Sequence, residues 1–148
     1  MKNQKELVIA LRIAIVVFAL AGGAFCGYAV PFAIPMRGAW DYVLYIGCSI
    51  PCFAVLILAW DVTCRFSKGS FFDERAAKDI RIAAWILAID SFLFILGNAV
   101  KWGFYRNGLE FFFVFLGVAG LCLAVLFFAI GRYIRAALAI KEENEAIV

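Results

Sequence analysis

The stretch RFSKGSFFDERAAKDIRIAAW, residues 65–85, is the one long polar interval between two strongly apolar halves of a 148-residue chain. It carries Arg65, Lys68, Arg75, Lys78 and Arg81, five of the fourteen Lys and Arg residues. Basic residues flanking apolar spans are held on the cytoplasmic side of a membrane, so this interval orients what lies on either side of it. With 66% hydrophobic and 17% aromatic residues, the chain has more apolar surface than a soluble core of this size can hide. Lipid is the solvent that accommodates the excess.

Working outward from that interval, the apolar runs divide into four segments, each long enough to cross a bilayer. They predict an all-α fold, an integral membrane four-helix bundle, as a single domain over residues 1–148 with helices at about 7–30, 41–64, 74–100 and 109–143. Four spans leave almost no mass outside the membrane, which excludes a catalytic ectodomain. With both termini and the central interval inside, Lys2, Lys5, Arg12, the five central residues, Arg132, Arg135 and Lys141 are cytoplasmic. Only Arg37, Lys101 and Arg106 lie outside. Eleven against three satisfies the positive-inside bias, so both termini are expected in the cytoplasm.

The first run, Ile13 to Val30, is longer than the apolar part of a secretory signal and is expected to be a retained helix. Gly23 and Gly27 form a small-xxx-small pair, expected to serve packing inside the bundle. Pro31, Pro35 and Gly38 should then break the helix into an exterior turn. Trp40, Tyr42 and Tyr45 suit the outer interfacial belt, and Pro51 predicts a kink between Tyr45 and Pro51. On the other side of the central interval, Asp73 is placed to cap the third helix at Glu74. Residues 101–108, KWGFYRNG, read as the second exterior turn, with Trp102 and Tyr105 in the belt. The fourth helix should run on past the membrane toward Glu143, since no breaker follows Gly131.

Candidate functional residues are few. The five cysteines are odd in number and sit mostly in apolar runs, and there is no histidine, so neither a metal site nor a disulfide framework is expected. Cys48 and Cys52 share a helical face and read as packing residues. Neither a nucleophile with its base nor a phosphate loop is present, so no catalytic residue, cofactor or metal is assigned. Asp90, at the middle of the third span, is the least expected residue. A carboxylate there is costly and should face the bundle interior, protonated and hydrogen-bonded to a hydroxyl, thiol or carbonyl. Ala83 and Gly97, seven residues to either side, put small residues on the same face. Nearer the inner surface, Arg12 and Asp61 lie at similar depth in the first two spans and are expected to pair or share a water.

The segment GSFFDERAAKDIRIAAW, from Gly69 to Trp85, and the tail IKEENEAIV, from Ile140 to Val148, resemble a bacterial family of four-helix membrane proteins of unknown function. Its members typically read glycine, proline-phenylalanine, Ser/Thr and Glu-Asn before the third helix, and Leu-Lys-Glu-Glu-Asn-Asp-Leu-Thr-Ile at the end. This sequence departs at Phe71, at Arg75-Ala76 and at Ala146-Ile147. Members of the family are often encoded beside a small Cro-type helix-turn-helix regulator. The resemblance therefore implies a membrane protein that holds or releases such a regulator through the cytoplasmic residues Phe72, Asp73, Arg81, Lys141, Glu142, Glu143 and Asn144.

Three classes of function follow. An interaction protein, not an enzyme, comes first, with the lipid bilayer and the regulator as partners, no direct nucleic-acid contact, and self-association left open. A small proton-coupled transporter using Asp90 is the alternative. An intramembrane enzyme is weakest, because it would have only Asp90 and the cysteines to work with.

Overall fold

The computed structural model describes residues 2–34, 38–67, 74–105 and 108–146. They form helix α1 (Lys2–Ala24), a π-helical continuation (Phe25–Ala33), α2 (Ala39–Gly47), α3 (Ser49–Ser67), α4 (Glu74–Tyr105) and α5 (Gly108–Ala146). Four segments, Lys5–Phe32, Ala39–Ser67, Glu74–Phe104 and Gly108–Asn144, are long and apolar enough to cross a membrane. Their outward faces carry side chains as exposed as Leu20 (69%), Ile57 (70%) and Phe104 (81%). Apolar surface on that scale is stable against lipid and not against water, so the chain is a multi-pass membrane protein.

Neighbouring spans are antiparallel, and the contacts that align them are explicit. Arg12 near the start of α1 meets Cys64 and Ser67 at the end of α3. Tyr45 in α2 meets Asn98 late in α4, and Trp102 near the end of α4 meets Phe111 near the start of α5. Both termini therefore lie at one end of the bundle, the termini end, with Ile34, Asp41, Lys101 and Glu110 at the opposite, far end. The spans lie side by side in the order α1, α3, α4, α5, with the most extensive packing between α4 and α5. That packing is close because α5 presents small residues. A Cβ at Gly117 would overlap Ile95, and one at Gly120 would overlap the Ser91 hydroxyl. Ala124 is fully buried one turn further on.

The two local breaks have different causes. Pro31 does not end the first helix, as the sequence alone predicts. Instead the backbone widens, and the Ile34 N–H reaches back five residues to the Ala29 carbonyl at 2.9 Å. A wider helix gives the proline ring room, and the missing N–H falls where the hydrogen-bond ladder is already rearranged. The second span breaks at Cys48, within the stretch where Pro51 predicts a kink. Pro51 has no N–H for the Gly47 carbonyl, and the Ser49 hydroxyl donates to the Tyr45 carbonyl at 2.6 Å.

Two apolar clusters hold the bundle. The far-end cluster buries Val30, Ile34, Leu44, Tyr45 and Phe113, and the middle one buries Val55, Ala83, Leu87 and Ala124. Two expectations are corrected here. Tyr45 is 1% exposed and packs inside the far end, while its neighbours Trp40 and Tyr42 face outward. A Cβ on Gly23 or Gly27 would meet nothing within 4 Å, whereas one on Gly22 would touch the Phe53 ring. Gly22, one position round the helix, is the glycine that packs α1 against α3. The predicted Asp73 cap and the 106–107 turn lie outside the described residues, as do Pro35–Arg37. Lys101 and Trp102 belong to α4, which runs on to Tyr105.

Candidate functional site

Polar groups inside an apolar bundle collect where helices supply partners, and here they collect at three depths. The far end holds the densest group. Asp41 opens α2 with its N–H bonded to the Gly38 carbonyl at 3.1 Å. Its carboxylate lies 2.8 Å from Lys101 Nζ of α4, with both side chains almost fully buried. Lys101 also donates to the Tyr45 hydroxyl at 3.1 Å, and that hydroxyl donates in turn to Asn98 Oδ1 at 3.1 Å. Asn98 is held by its own amide, which donates to the Phe94 carbonyl one turn back at 2.9 Å. The ammonium also sits 4.7 Å from the centre of the Tyr45 ring, a cation over an aromatic face.

Aromatic rings seal this network. Tyr45 packs against Phe113 at 5.2 Å and Phe94 at 6.1 Å, and Phe25 of the π-helical segment meets Phe113 edge-on at 6.3 Å. Glu110, in the first turn of α5, is buried beside the group, and its Oε2 has no hydrogen-bond partner among the described residues. The positive end of a helix favours a carboxylate at that position. Sequence reasoning missed the whole group. Lys101 read as part of a turn and Asp41 as the start of a span, and only the helical phases of α2 and α4 together bring them into contact.

Asp90 lies at the middle depth, 7% exposed, on the face of α4 turned toward α3. The Cys52 thiol donates to its Oδ2 at 3.3 Å, and the Cys48 thiol faces the same carboxyl. Ala83 is buried on the same face of α4, and Gly97 lets Leu44 approach so closely that a Cβ would overlap it. Ser91 is buried against Gly120 on the adjoining face. Cys48 and Cys52 thus do more than fill space, because they are the polar neighbours of the carboxyl. A thiol and a carboxyl without an imidazole or a second base give a hydrogen bond, not an activated nucleophile. Among the described residues, no cluster of three metal-ligating side chains occurs.

At the termini end the expected Arg12–Asp61 pair does not form. Arg12 donates to Cys64 Sγ at 3.6 Å and Ser67 Oγ at 3.4 Å, and its guanidinium lies 5.4 Å from the Trp60 ring. Asp61 instead accepts from Arg65 on its own helix, at 2.6 and 2.9 Å. Helical phase is the reason. Trp60, Cys64 and Ser67 are four and three residues apart and share one face toward α1, whereas Asp61 and Arg65 lie on the adjacent face, where Asp79 of α4 is 3.7 Å from Arg65.

The residues matched to a partner surface divide. Phe72 and Asp73 lie outside the described residues. Arg81 opens into a cleft between α4 and α5, beside Lys78 and Arg135. Lys141, Glu142, Glu143 and Asn144 are exposed on the last turns of α5. Lys141 is six residues past Arg135, or roughly 9 Å along the helix axis, so the structure sets Arg81 apart from the tail.

One comparison with known proteins gives a match. The family described as "Protein of unknown function (DUF2975)" matches residues 7–148, nearly the whole chain. No curated protein and no solved structure matches.

Proposed function

We propose, for a chain that belongs to the DUF2975 family of unknown function, that its work is done at the cytoplasmic face of a bacterial inner membrane. There it engages a small helix-turn-helix regulator without catalysing a reaction. One observation carries the reading. The α5 span is 37 residues long, where about 20 suffice to cross a bilayer, and it continues unbroken to Ala146. Its last turns present exposed Lys141, Glu142, Glu143 and Asn144. A projecting, rigid, acidic helix end is a surface that a small basic helical protein can dock against.

The orientation is part of the proposal and rests on the eleven-to-three division of basic residues. Reporter fusions after Val148 and after Ser67 should both read cytoplasm, and one at Asn107 should read exterior. The Asp90 transporter reading draws no support from its setting. The carboxyl is enclosed by helix contacts and thiols.

The regulator encoded nearest the gene, co-expressed with the full chain, should sediment with membranes. With residues 140–148 deleted it should return to the soluble fraction, while the truncated protein stays in the membrane at the same level. Equal membrane retention by both forms would sink the proposal.

A further inference from the structure

The cleft between α4 and α5 at the termini end is lined by Lys78, Arg81, Ile82, Trp85 and Arg135, with a volume of about 270 Å³. Its charge is one-sided. Three cations from two helices converge on it, and among the described residues no carboxylate lines it. Two cations elsewhere in the bundle face acids: Lys101 has Asp41, and Arg65 has Asp61 and Asp79. Lys78, Arg81 and Arg135 are in no ion pair with any described carboxylate. The rest of its lining is apolar. Trp85 meets Phe128 of α5 edge-on, with ring centroids 5.2 Å apart, and Ile82 and Trp85 are both exposed on the lipid-facing side.

The polarity of the cleft runs along the helix axis. Lys78 and Trp85 are seven residues apart, or roughly 10 Å, with the basic end toward the termini and the aromatic end deeper in the span. A tryptophan one turn or two inside a row of basic residues marks the boundary between headgroups and acyl chains. Two guanidinium forks can hold phosphate oxygens in pairs, and the lysine adds a point charge.

From this we propose that the cleft binds an anionic phospholipid, its phosphate held by Lys78, Arg81 and Arg135 and the start of an acyl chain laid along Ile82 and Trp85. The shape matches an amphipathic ligand, since a free anion would use the basic end and leave the apolar wall uncovered. The proposal stands apart from the regulator, which is placed on the α5 tail.

Trp85 is its own reporter. Full-length protein is reconstituted in phosphatidylcholine vesicles containing a minor fraction of brominated lipid, either phosphatidylglycerol or phosphatidylcholine at equal mole fraction. Bromine quenches nearby indoles, and subtracting the signal of Trp85→Phe isolates the contribution of Trp85 from the other three tryptophans. Brominated phosphatidylglycerol should quench Trp85 at least about fivefold more effectively than brominated phosphatidylcholine, the effect of roughly one fully used cation near the surface. The double variant Arg81→Gln/Arg135→Gln should bring the two lipids to parity. In the wild-type protein, raising sodium chloride should erode the preference, which guards against a variant that inserts badly. Equal quenching by the two lipids, or a preference that survives both the double variant and high salt, overturns the site. Inorganic phosphate at matched ionic strength should leave the preference intact. If it abolishes the preference, the site is one for free phosphate and the lipid assignment is wrong.

Discussion

The two ends of this bundle treat charge in opposite ways. At the far end, Asp41 and Lys101 are drawn inside, paired at 2.8 Å, and closed over by Tyr45, Phe94 and Phe113. At the termini end Arg65 meets Asp61 and Asp79 at part-exposed positions, but Lys78, Arg81 and Arg135 open into a cleft, and Glu142 and Glu143 stand exposed on the last turns of α5. Charges cancelled within the protein hold helices together and have nothing left for a partner. Charges left facing outward do little for the fold and are the groups a lipid or a protein can use. The difference teaches where to look for function in a membrane protein whose described residues form no catalytic constellation, and it makes the far end the place where mutations should hurt stability most.

The sharpest test of that division is Lys101→Met. It takes the Lys101 ammonium away from the buried Asp41 carboxylate and removes a donor from the Tyr45 hydroxyl. The expected cost is about 3–5 kcal/mol, read as a large drop in the thermal midpoint of the detergent-solubilised protein. Adding Asp41→Leu to the same chain should return stability to within about 1 kcal/mol of wild type, because a buried pair is worth little more than apolar groups of the same volume. A Lys101→Met protein that melts like wild type would mean the far end is held by its aromatic rings alone.

Asp90 ranks next, at the depth between the two ends. Its carboxyl accepts from Cys52, and a thiol is a weak donor, so losing this bond costs less than orphaning a charge. Asp90→Leu should lower stability by about 1 kcal/mol, and Asp90→Asn by less, since the amide keeps an oxygen for the thiol. The same melting experiment reads both. A loss from Asp90→Leu as large as that from Lys101→Met would show that the middle of the bundle depends on its polar group as heavily as the far end does.

How much of this could be read from the chain depends on the range of the signal. Spans are long local patterns, and all four are legible as apolar runs bounded by turn residues and charge. The kink is legible because Pro51 removes a donor wherever it sits. The far-end network is not, because it needs the phases of α2 and α4 at once. Hydropathy sees Lys101 as a charge near the end of a span, and at such ends charges normally face water. Tyr45 misled for the same reason, since a tyrosine at a span boundary suits the interface and only the Lys101 ammonium and the Asn98 amide draw it inside. On α1, spacing picks out Gly23 and Gly27, but the face that meets α3 is set by Gly22 against Phe53. A rotation of one residue, about 100°, separates a correct contact from a wrong one.

That one-residue rotation also sets the smallest expected effect. Asp61 and Arg12 lie at similar depth on adjacent helices, and a pairing argued from depth alone would make Asp61 important. The geometry gives Asp61 to Arg65 on its own helix, with the Asp61 side chain 51% exposed. Solvent screens such a pair, and Arg65 keeps Asp79 at 3.7 Å when Asp61 is neutralised. Asp61→Asn should therefore cost less than about 0.5 kcal/mol, and less still at high salt. Arg12→Met acts through different neighbours, the Trp60 ring and the Cys64 and Ser67 side chains. The two substitutions should then add, with a coupling energy in the double-mutant cycle below about 0.5 kcal/mol. A coupling above about 1 kcal/mol would place Arg12 and Asp61 in direct contact. It would also weaken the division drawn here, because α1 and α3 would then be held together at the termini end by cancelling charge, as α2 and α4 are at the far end.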